Sequence, residues 1–141
     1  MKYLLLILIA LSSVHAKKDT TYTYYESGAL MYEIPYVNGK EHGIRKGYYR
    51  SGVLLSETPY VNGKAHGIEK SYYESGALFS ETPWINGKEH GISKDYYKSG
   101  KIESKFYYKN GIIYRVVCHG ADVKFKGDWL KASNYCYDRK K

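Results

Sequence analysis

Residues 61–84 read VNGKAHGIEKSYYESGALFSETPW. This stretch contains two turn signals, Asn62-Gly63 and Ser75-Gly76, separated by residues rich in Tyr, Ile, Leu and Thr. Asn-Gly is the strongest short hairpin signal, because both central residues of a type I′ turn need positive φ; Ser-Gly is a weaker turn signal. Aromatic and β-branched residues fit a pleated, half-buried surface. The stretch therefore predicts two strands and two tight turns.

The same pattern recurs along the chain with a period of 24 residues. Across the units that begin at Tyr24, Tyr48 and Tyr72, 14 of 24 positions are identical, and a looser fourth unit begins at Tyr96. We therefore expect an all-β fold, an elongated single-layer antiparallel β-meander of stacked hairpin repeats. Neither face of the strands is purely apolar, which indicates a sheet wetted on both sides rather than a sandwich.

A proline recurs once in each full unit, at Pro35, Pro59 and Pro83. Proline has no backbone N–H to donate to a ladder and is normally excluded from central strands. Its fixed place in the repeat therefore predicts a bulge or bend in every unit.

The first 16 residues differ from the array. A positive start, an apolar run over residues 3–11 and a small-residue end at Ala16 form the three-part pattern of a secretory signal peptide. We expect cleavage after Ala16, and a retained N-terminal anchor is the alternative, although the apolar run is shorter than the roughly 20 residues that a span needs. Export predicts a periplasmic or secreted protein.

Export also limits what the positive charge can bind. The formal net charge is +8, and loss of Lys2 with the signal peptide lowers it to +7. A basic exported protein meets proteins, anionic lipid and envelope polymers rather than nucleic acid. We expect a protein partner first, anionic lipid or an envelope polymer second, and no nucleic acid.

The two cysteines, Cys118 and Cys136, both lie after the array. In an oxidising compartment such a pair predicts a disulfide, which would contribute roughly 3 kcal/mol for a loop of this length; two free buried thiols are the alternative. We divide the chain into a signal peptide (1–16), a repeat array (17–111) and a disulfide-clamped C-terminal cap (112–141).

The motif Asn-Gly-Lys-x-His-Gly at residues 62–67, followed by Tyr-Tyr-x-Ser-Gly-x-Leu at residues 72–78, resembles the MORN repeat in its bacterial variant form. That repeat occurs in YwqK-type antitoxin-component proteins, and the resemblance extends from about Tyr22 to Gly111. It implies stacked hairpins in a curved single-layer sheet, with roles in protein–protein contact or membrane association.

The repeated polar residues do not form the pattern of a catalytic site or a metal site. Equivalent histidines, His42, His66 and His90, should lie two strands or roughly 9–10 Å apart, too far to share one ion. We expect each to hydrogen-bond its own turn. The serines before the glycines are predicted to be turn residues, and the glutamates Glu33, Glu57 and Glu81 to be cross-strand partners of lysine. We expect no enzyme, no cofactor and no metal.

Two sets of residues form the candidate binding surface. The basic set comprises one row after the Asn-Gly turns and a second row in the strands: Lys40, Lys64, Lys88, Lys46, Lys70 and Lys94. The aromatic set comprises Tyr25, Tyr49, Tyr73, Tyr97, Tyr60 and Trp84. Lysines also improve solubility and protect sheets from edge pairing, and the aromatic residues also serve as the packing layer of a thin sheet.

These features predict a binding or scaffolding module for protein–protein or envelope-surface contact. The alternative is an antitoxin-like or immunity-like inhibitor of a partner toxin. The sequence leaves open which face of the sheet binds and the oligomeric state.

Overall fold

The computed structural model describes residues 16–118 and the backbone of residues 121–124. Apart from Ala16, the predicted signal peptide lies outside the described residues. The strands, in chain order, are β1 (Lys18–Tyr24), β2 (Leu30–Val37), β3 (Lys40–Glu41), β4 (Gly43–Tyr48), β5 (Leu54–Val61), β6 (Lys64–Ala65), β7 (Gly67–Tyr72), β8 (Leu78–Ile85), β9 (Lys88–Glu89), β10 (Gly91–Tyr96), β11 (Ile102–Lys109), β12 (Ile112–Cys118) and β13 (Ala121–Lys124).

All thirteen described strands belong to one antiparallel sheet. Its order is β1-β2-β4-β5-β7-β8-β10-β11-β12-β13, and the short strands β3, β6 and β9 pair with β2, β5 and β8 beside this path. Neighbours in the sheet are thus neighbours in the chain. The predicted all-β meander of stacked hairpins is confirmed.

The Asn-Gly pairs form the predicted turns. Asn62 has φ of 51° and Gly63 has φ of 80°, and the other three Asn-Gly pairs have φ within a few degrees of these values. Positive φ at both residues is what a type I′ turn requires. Each turn also stacks on the one before it, because the Gly63 N–H donates to the carbonyl oxygen of Glu41 at 2.8 Å and the Gly87 N–H donates to that of Ala65 at the same distance.

Each proline lies at a break in the ladder, as predicted. Between the pairs Tyr36↔Glu41 and Glu33↔Lys46, two residues of β2 face the four residues 42–45. The Pro35 carbonyl oxygen accepts the N–H of His42 at 2.9 Å. Because the N–H and C=O positions of a strand residue face the same neighbour, the proline nitrogen faces this irregular segment, where the ladder requires no donor.

The apolar core of the described residues lies at the C-terminal end of the sheet. It is formed in β11 and β12 by Phe106, Tyr108, Ile113, Val116 and Cys118. Most side chains of the array are only half-buried, in keeping with a thin sheet. Cys118 is buried, whereas Cys136 lies outside the described residues, so the disulfide and the clamped cap stay predictions.

Candidate binding surface

Side chains alternate between the two faces of the sheet, and each face has its own chemistry. One face, here called the ladder face, carries a row of charges: Glu33, Lys46, Glu57, Lys70, Glu81 and Lys94. The other, here called the aromatic face, carries Tyr36, Tyr60, Trp84 and Tyr108. Both rows run across the strands, because the same cross-strand register recurs in each unit, as Lys46↔Glu57 and Lys70↔Glu81 show.

Charges alternate in sign along the ladder face from Glu33 to Lys94, and Lys94 then lies opposite Lys105 of β11. Lys46 lies opposite Glu33 of β2 on one side and opposite Glu57 of β5 on the other. Lys70 and Lys94 occupy the same position in later units, and Lys70 likewise lies between two glutamates. The prediction that these glutamates are cross-strand partners of lysine is confirmed. The row of Lys46, Lys70 and Lys94 is consequently not a uniformly basic surface.

The same glutamates accept hydrogen bonds from tyrosine. The hydroxyls of Tyr48, Tyr72 and Tyr96 donate to Glu33, Glu57 and Glu81 at 3.3, 3.0 and 2.8 Å. Burial and the adjacent Glu81 carboxylate raise the pKa of Tyr96 to about 12. Burial and the neighbouring glutamates also raise the pKa of Tyr48 and of Tyr72. These carboxylates are engaged within the sheet.

Lys40, Lys64 and Lys88 are exposed at the stacked Asn-Gly turns. Hydrogen bonds between successive turns hold the turns in one column. The Lys64 side chain lies beside Gly87 of the next turn, and that of Lys88 lies beside Gly111. The predicted line of lysines along one edge therefore corresponds to the geometry of the turns.

Exposed aliphatic side chains lie beside these lysines, and sequence reasoning did not single them out. Ile44, Ile68 and Ile92 are 49 %, 53 % and 42 % exposed. Ile44 lies opposite Pro59, on the face that carries Lys46 and Glu57. The signal in the sequence is the identical isoleucine in each full unit, two residues before the ladder-face lysine.

A second pair of exposed aliphatic residues, Val61 and Ile85, lies directly opposite Lys64 and Lys88. Lysines and aliphatic side chains thus share one strip of the ladder face along the Asn-Gly turns. This strip, here called the edge patch, consists of Lys40, Lys64, Lys88, Ile44, Ile68, Ile92, Val61 and Ile85.

The tyrosines after the strands mainly hold the units together. The hydroxyls of Tyr25, Tyr49 and Tyr73 each donate at 2.7 Å to a main-chain carbonyl oxygen 23 residues further on. Arg50 lies over the Tyr25 ring and Lys98 over the Tyr73 ring, with distances of 5.3 and 5.6 Å to the ring centroids. As residues of a binding surface, these three tyrosines are weak candidates. Tyr97, at the same position in the fourth unit, is 38 % exposed.

Tyr60 and Trp84 lie on the aromatic face, each opposite a glycine. Gly43 is the cross-strand partner of Tyr60, and Gly67 is that of Trp84. The indole Nε1 of Trp84 is buried without a hydrogen-bond partner among the described residues. Both rings are half-buried, so they serve mainly as packing.

Two carboxyl groups on the aromatic face have raised pKa values. Burial raises the pKa of Glu69, while the hydrogen bond that Thr58 donates at 3.1 Å and the charge of Arg45 partly oppose the rise. Burial and the negative charge of Glu69 raise the pKa of Glu89, against a hydrogen bond from Tyr108. This part of the sheet disfavours negative charge.

The histidines lie at the turn column. The His90 ring nitrogen Nδ1 lies 3.3 Å from Oδ1 of Asn110, in the Asn-Gly turn of the following unit. The expectation that each histidine bonds its own turn is wrong for His90, because stacking places the next turn beside it. Among the residues that the structure describes, no three His, Cys, Asp or Glu side chains are placed to hold a metal ion.

Within residues 16–118 and 121–124, the structure has no helix whose length and apolar character suit a membrane span.

A family model described as "MORN repeat variant" matches residues 20–38, 41–62, 65–86 and 89–115, which is more than half of the chain. The match includes the fourth unit and runs beyond Gly111, where the sequence resemblance was expected to end. A search of curated proteins finds no match.

Two solved structures resemble the fold. One is the Glycosylation Associate Protein (Gap123) complex from Streptococcus agalactiae, at 15 % identity and a TM-score of 0.49, covering 85 % of this chain and 24 % of that one. The other is accessory secretory protein 1, 2 and 3 in Streptococcus pneumoniae, at 12 % identity and a TM-score of 0.47. The match covers 93 % of this chain and 26 % of that one. The chain spans about a quarter of the length of each.

Proposed function

The chain belongs to the MORN repeat variant family, and we propose that it is an exported binding or scaffolding module that holds a protein partner through the edge patch. The observation that supports this proposal is the exposure of the same aliphatic and basic positions in successive units. An array of equivalent positions presents an extended surface rather than a pocket.

The edge patch is the part of the predicted surface that the fold leaves accessible. Lys46 and Lys70 lie between glutamates, and the hydroxyl of Tyr49 is bonded to the backbone. Lys64 and Ile68, by contrast, are exposed. Exposed apolar side chains in a contiguous strip mark interaction sites more often than scattered ones do.

The chemistry of the edge patch defines the partner. Lysines at a spacing of two strands, roughly 9–10 Å, suit an acidic surface, and the isoleucines between them need apolar area to cover them. A folded acidic protein offers both. Anionic lipid or an acidic envelope polymer offers the charge, and we expect these to bind more weakly and with steeper dependence on salt.

Affinity capture from the envelope fraction of the producing cell tests the proposal. We expect Lys64→Glu/Lys88→Glu and Ile44→Ser/Ile68→Ser each to lose a captured protein that the wild type retains. Lys98→Glu/Lys101→Glu is the matched control, because it changes the net charge equally at exposed lysines beside the Ser99-Gly100 turn, at the opposite ends of the strands from the edge patch. Equal capture by all four proteins would contradict the assignment.

Liposomes of neutral and anionic composition separate lipid from protein binding. Retention on anionic liposomes at physiological salt, with the same dependence on Lys64 and Lys88, would assign the edge patch to a lipid surface instead. We expect little co-sedimentation at that ionic strength.

The proposal includes export, with cleavage after Ala16 and residence in the periplasm or outside the cell. Mass spectrometry of the purified native chain should give Lys17 as its first residue. The thiols of Cys118 and Cys136 should react with an alkylating agent only after reduction, because the oxidising compartment favours a disulfide. A chain that keeps Met1, or thiols that react without reduction, would contradict export.

A second candidate function is an antitoxin-like or immunity-like inhibitor that acts in the envelope, as the YwqK-type resemblance implies. It requires a stoichiometric complex with a toxin, and the toxin's activity must fall on binding. A captured partner whose activity is unchanged in the complex favours scaffolding. In both cases we propose that the chain itself is not an enzyme and needs no cofactor.

A further inference from the structure

Strand β1 ends the sheet at its N-terminal side. Among the described residues it pairs with β2 alone, whereas β4, β7 and β10 at the same place in later units have strands on both sides. An unpaired strand offers a row of N–H and C=O groups to another strand. The question is which strand fits that row.

The direction of the free backbone groups follows from two hydrogen bonds. The Asn38 N–H donates to the Lys17 carbonyl oxygen at 2.9 Å, so Lys17 faces β2. The Thr20 N–H is instead taken by the Asp19 carboxylate at 2.8 Å. Successive strand residues alternate in direction. Lys18, Thr20, Tyr22 and Tyr24 therefore turn their backbone groups to the open edge.

Tyr22 departs from the repeat at this edge. Its equivalents 24, 48 and 72 residues later are Lys46, Lys70 and Lys94. At this position in the array, Lys46 and Lys70 each lie between two glutamates, whose charge is opposite to theirs. Lys46, for example, lies between Glu33 and Glu57. Tyr22 has Glu33 on one side, and it is 50 % exposed. The missing lysine indicates that the open side of β1 is not suited to another glutamate-bearing strand of the same kind.

We propose that β1 pairs antiparallel with β1 of a second copy, with the two-fold axis at Tyr22. This places Tyr22 opposite Tyr22 of the second copy and Thr20 opposite Tyr24 of the second copy. All four residues turn their backbone groups to the edge. Lys18 then lies just beyond the paired segment, near the turn that follows β1 of the second copy, where Glu26 carries a charge of opposite sign.

Side-chain chemistry supports the pairing of two identical strands. β1 has the sequence KDTTYTY, and its central residues are the β-branched and aromatic types that form favourable cross-strand pairs. Tyr24 is 59 % exposed on the face that also carries Tyr22. Among the described residues, a competing partner is recorded for the Thr20 N–H, and pairing exchanges that contact for an interstrand bond while the Asp19 carboxylate returns to water.

The interface is narrow, so the dimer should be reversible and concentration-dependent. Sedimentation equilibrium of the natively purified chain is expected to show a monomer–dimer equilibrium. A wild-type chain that stays monomeric at about 1 mM would overturn the proposal. A non-reducing gel identifies any covalent dimer formed through cysteine.

The decisive variant is Tyr22→Lys, because it installs the residue that later units carry at this position. The monomer should fold as before, with an unchanged circular dichroism spectrum and melting midpoint, since Glu33 lies opposite. In the dimer two like charges would face each other, so the dimer should dissociate at least about tenfold more readily.

Thr21→Lys is the matched control. It adds the same charge one residue away on the opposite face, where the proposed register places Thr23 of the second copy rather than a second lysine. We expect its dimer to persist, and that of Tyr22→Phe as well. Dimerisation that Tyr22→Lys leaves unchanged would place the interface elsewhere and overturn the proposal.

Discussion

The hydroxyl of Tyr25 donates a 2.7 Å hydrogen bond to the main-chain carbonyl oxygen of Tyr48. The same bond joins Tyr49 to Tyr72, and Tyr73 to Tyr96, at the same distance. At the opposite edge, stacked Asn-Gly turns are joined by backbone hydrogen bonds. Each unit is therefore tied to the next at both ends of its strands, which compensates for the small apolar core of the array.

Replacing Tyr49 by phenylalanine should weaken the junction between two units. The ring remains, and the Tyr72 carbonyl oxygen loses its donor, which costs about 1 kcal/mol in the free energy of unfolding. Urea denaturation followed by circular dichroism measures the loss. Tyr24→Phe is the control, because the side chain of Tyr24 is largely exposed; an equal loss in both variants would argue against the junction.

Alkaline titration should separate Tyr96 from the exposed tyrosines. Its pKa is raised to about 12 by burial and by the Glu81 carboxylate, above the ordinary value near 10. A raised pKa in the folded state stabilises the fold below pH 10, and this contribution is lost as the pH rises through 12. Ultraviolet absorbance of tyrosinate and unfolding measurements over this range report both effects.

The variant Glu81→Gln tests the cause of that shift. Removing the charge should lower the pKa of Tyr96 towards its ordinary value, and the fall in stability above pH 10 should become shallower. Carbon chemical shifts of labelled tyrosine rings identify the group. An unchanged Tyr96 titration in this variant would mean that burial alone raises the pKa.

The raised pKa of Glu69 can be tested at low pH, as that of Tyr96 is tested at high pH. Its pKa is raised above the ordinary 4.5, mainly by burial. The contribution to stability is therefore present below pH 4.5 and is lost as the pH rises through the raised value. Glu69→Gln should raise the melting midpoint at pH 7 and have little effect at pH 4. The exposed Glu74→Gln is the control, with no change expected at either pH.

The local chemistry of the sequence was enough to predict the meander. Asn62-Gly63 sets positive φ through its own preferences, and Pro59 marks a place where the ladder has no use for an N–H. Both are properties of a few adjacent residues, so they can be recognised in a single sequence. The period of 24 residues then extends each prediction to every unit.

The kind of contact between units, such as glutamate opposite lysine, was predictable, but the register that decides which residues meet was not. Lys46 lies between two glutamates only because residues 42–45 lengthen one side of the junction with β2. The length of that irregular segment sets the register, and no local preference of the residues specifies it. The hydroxyl of Tyr25 likewise finds its acceptor 23 residues away. The candidate surface was therefore located in part, with its isoleucines missed and its strand lysines overvalued.

The junction between β2 and β4 shows how departures from the repeat compensate one another. Tyr32 lies opposite Gly47, and a Cβ on Gly47 would lie 3.0 Å from the Tyr32 ring and 2.9 Å from Ser56 Oγ. One unit later the residues at these two positions are Ser56 and Ser71. The bulky tyrosine is therefore accommodated by the glycine opposite it.

Gly47→Ser should accordingly destabilise the sheet by about 2 kcal/mol, since overfilling a packed site costs roughly 1–3 kcal/mol. Tyr32→Ser removes the ring and leaves a gap. The double variant Tyr32→Ser/Gly47→Ser restores the pair found one unit later, where Ser56 lies opposite Ser71. There the Ser71 hydroxyl hydrogen-bonds at 2.6 Å to Ser80 on its other side, and the serine introduced at position 47 would have Ser56 in the same place. The double variant should lose less free energy of unfolding than the two single variants lose together, by about 1 kcal/mol or more. Urea unfolding of the four proteins gives this coupling directly, and additive effects would mean that Tyr32 and Gly47 are independent.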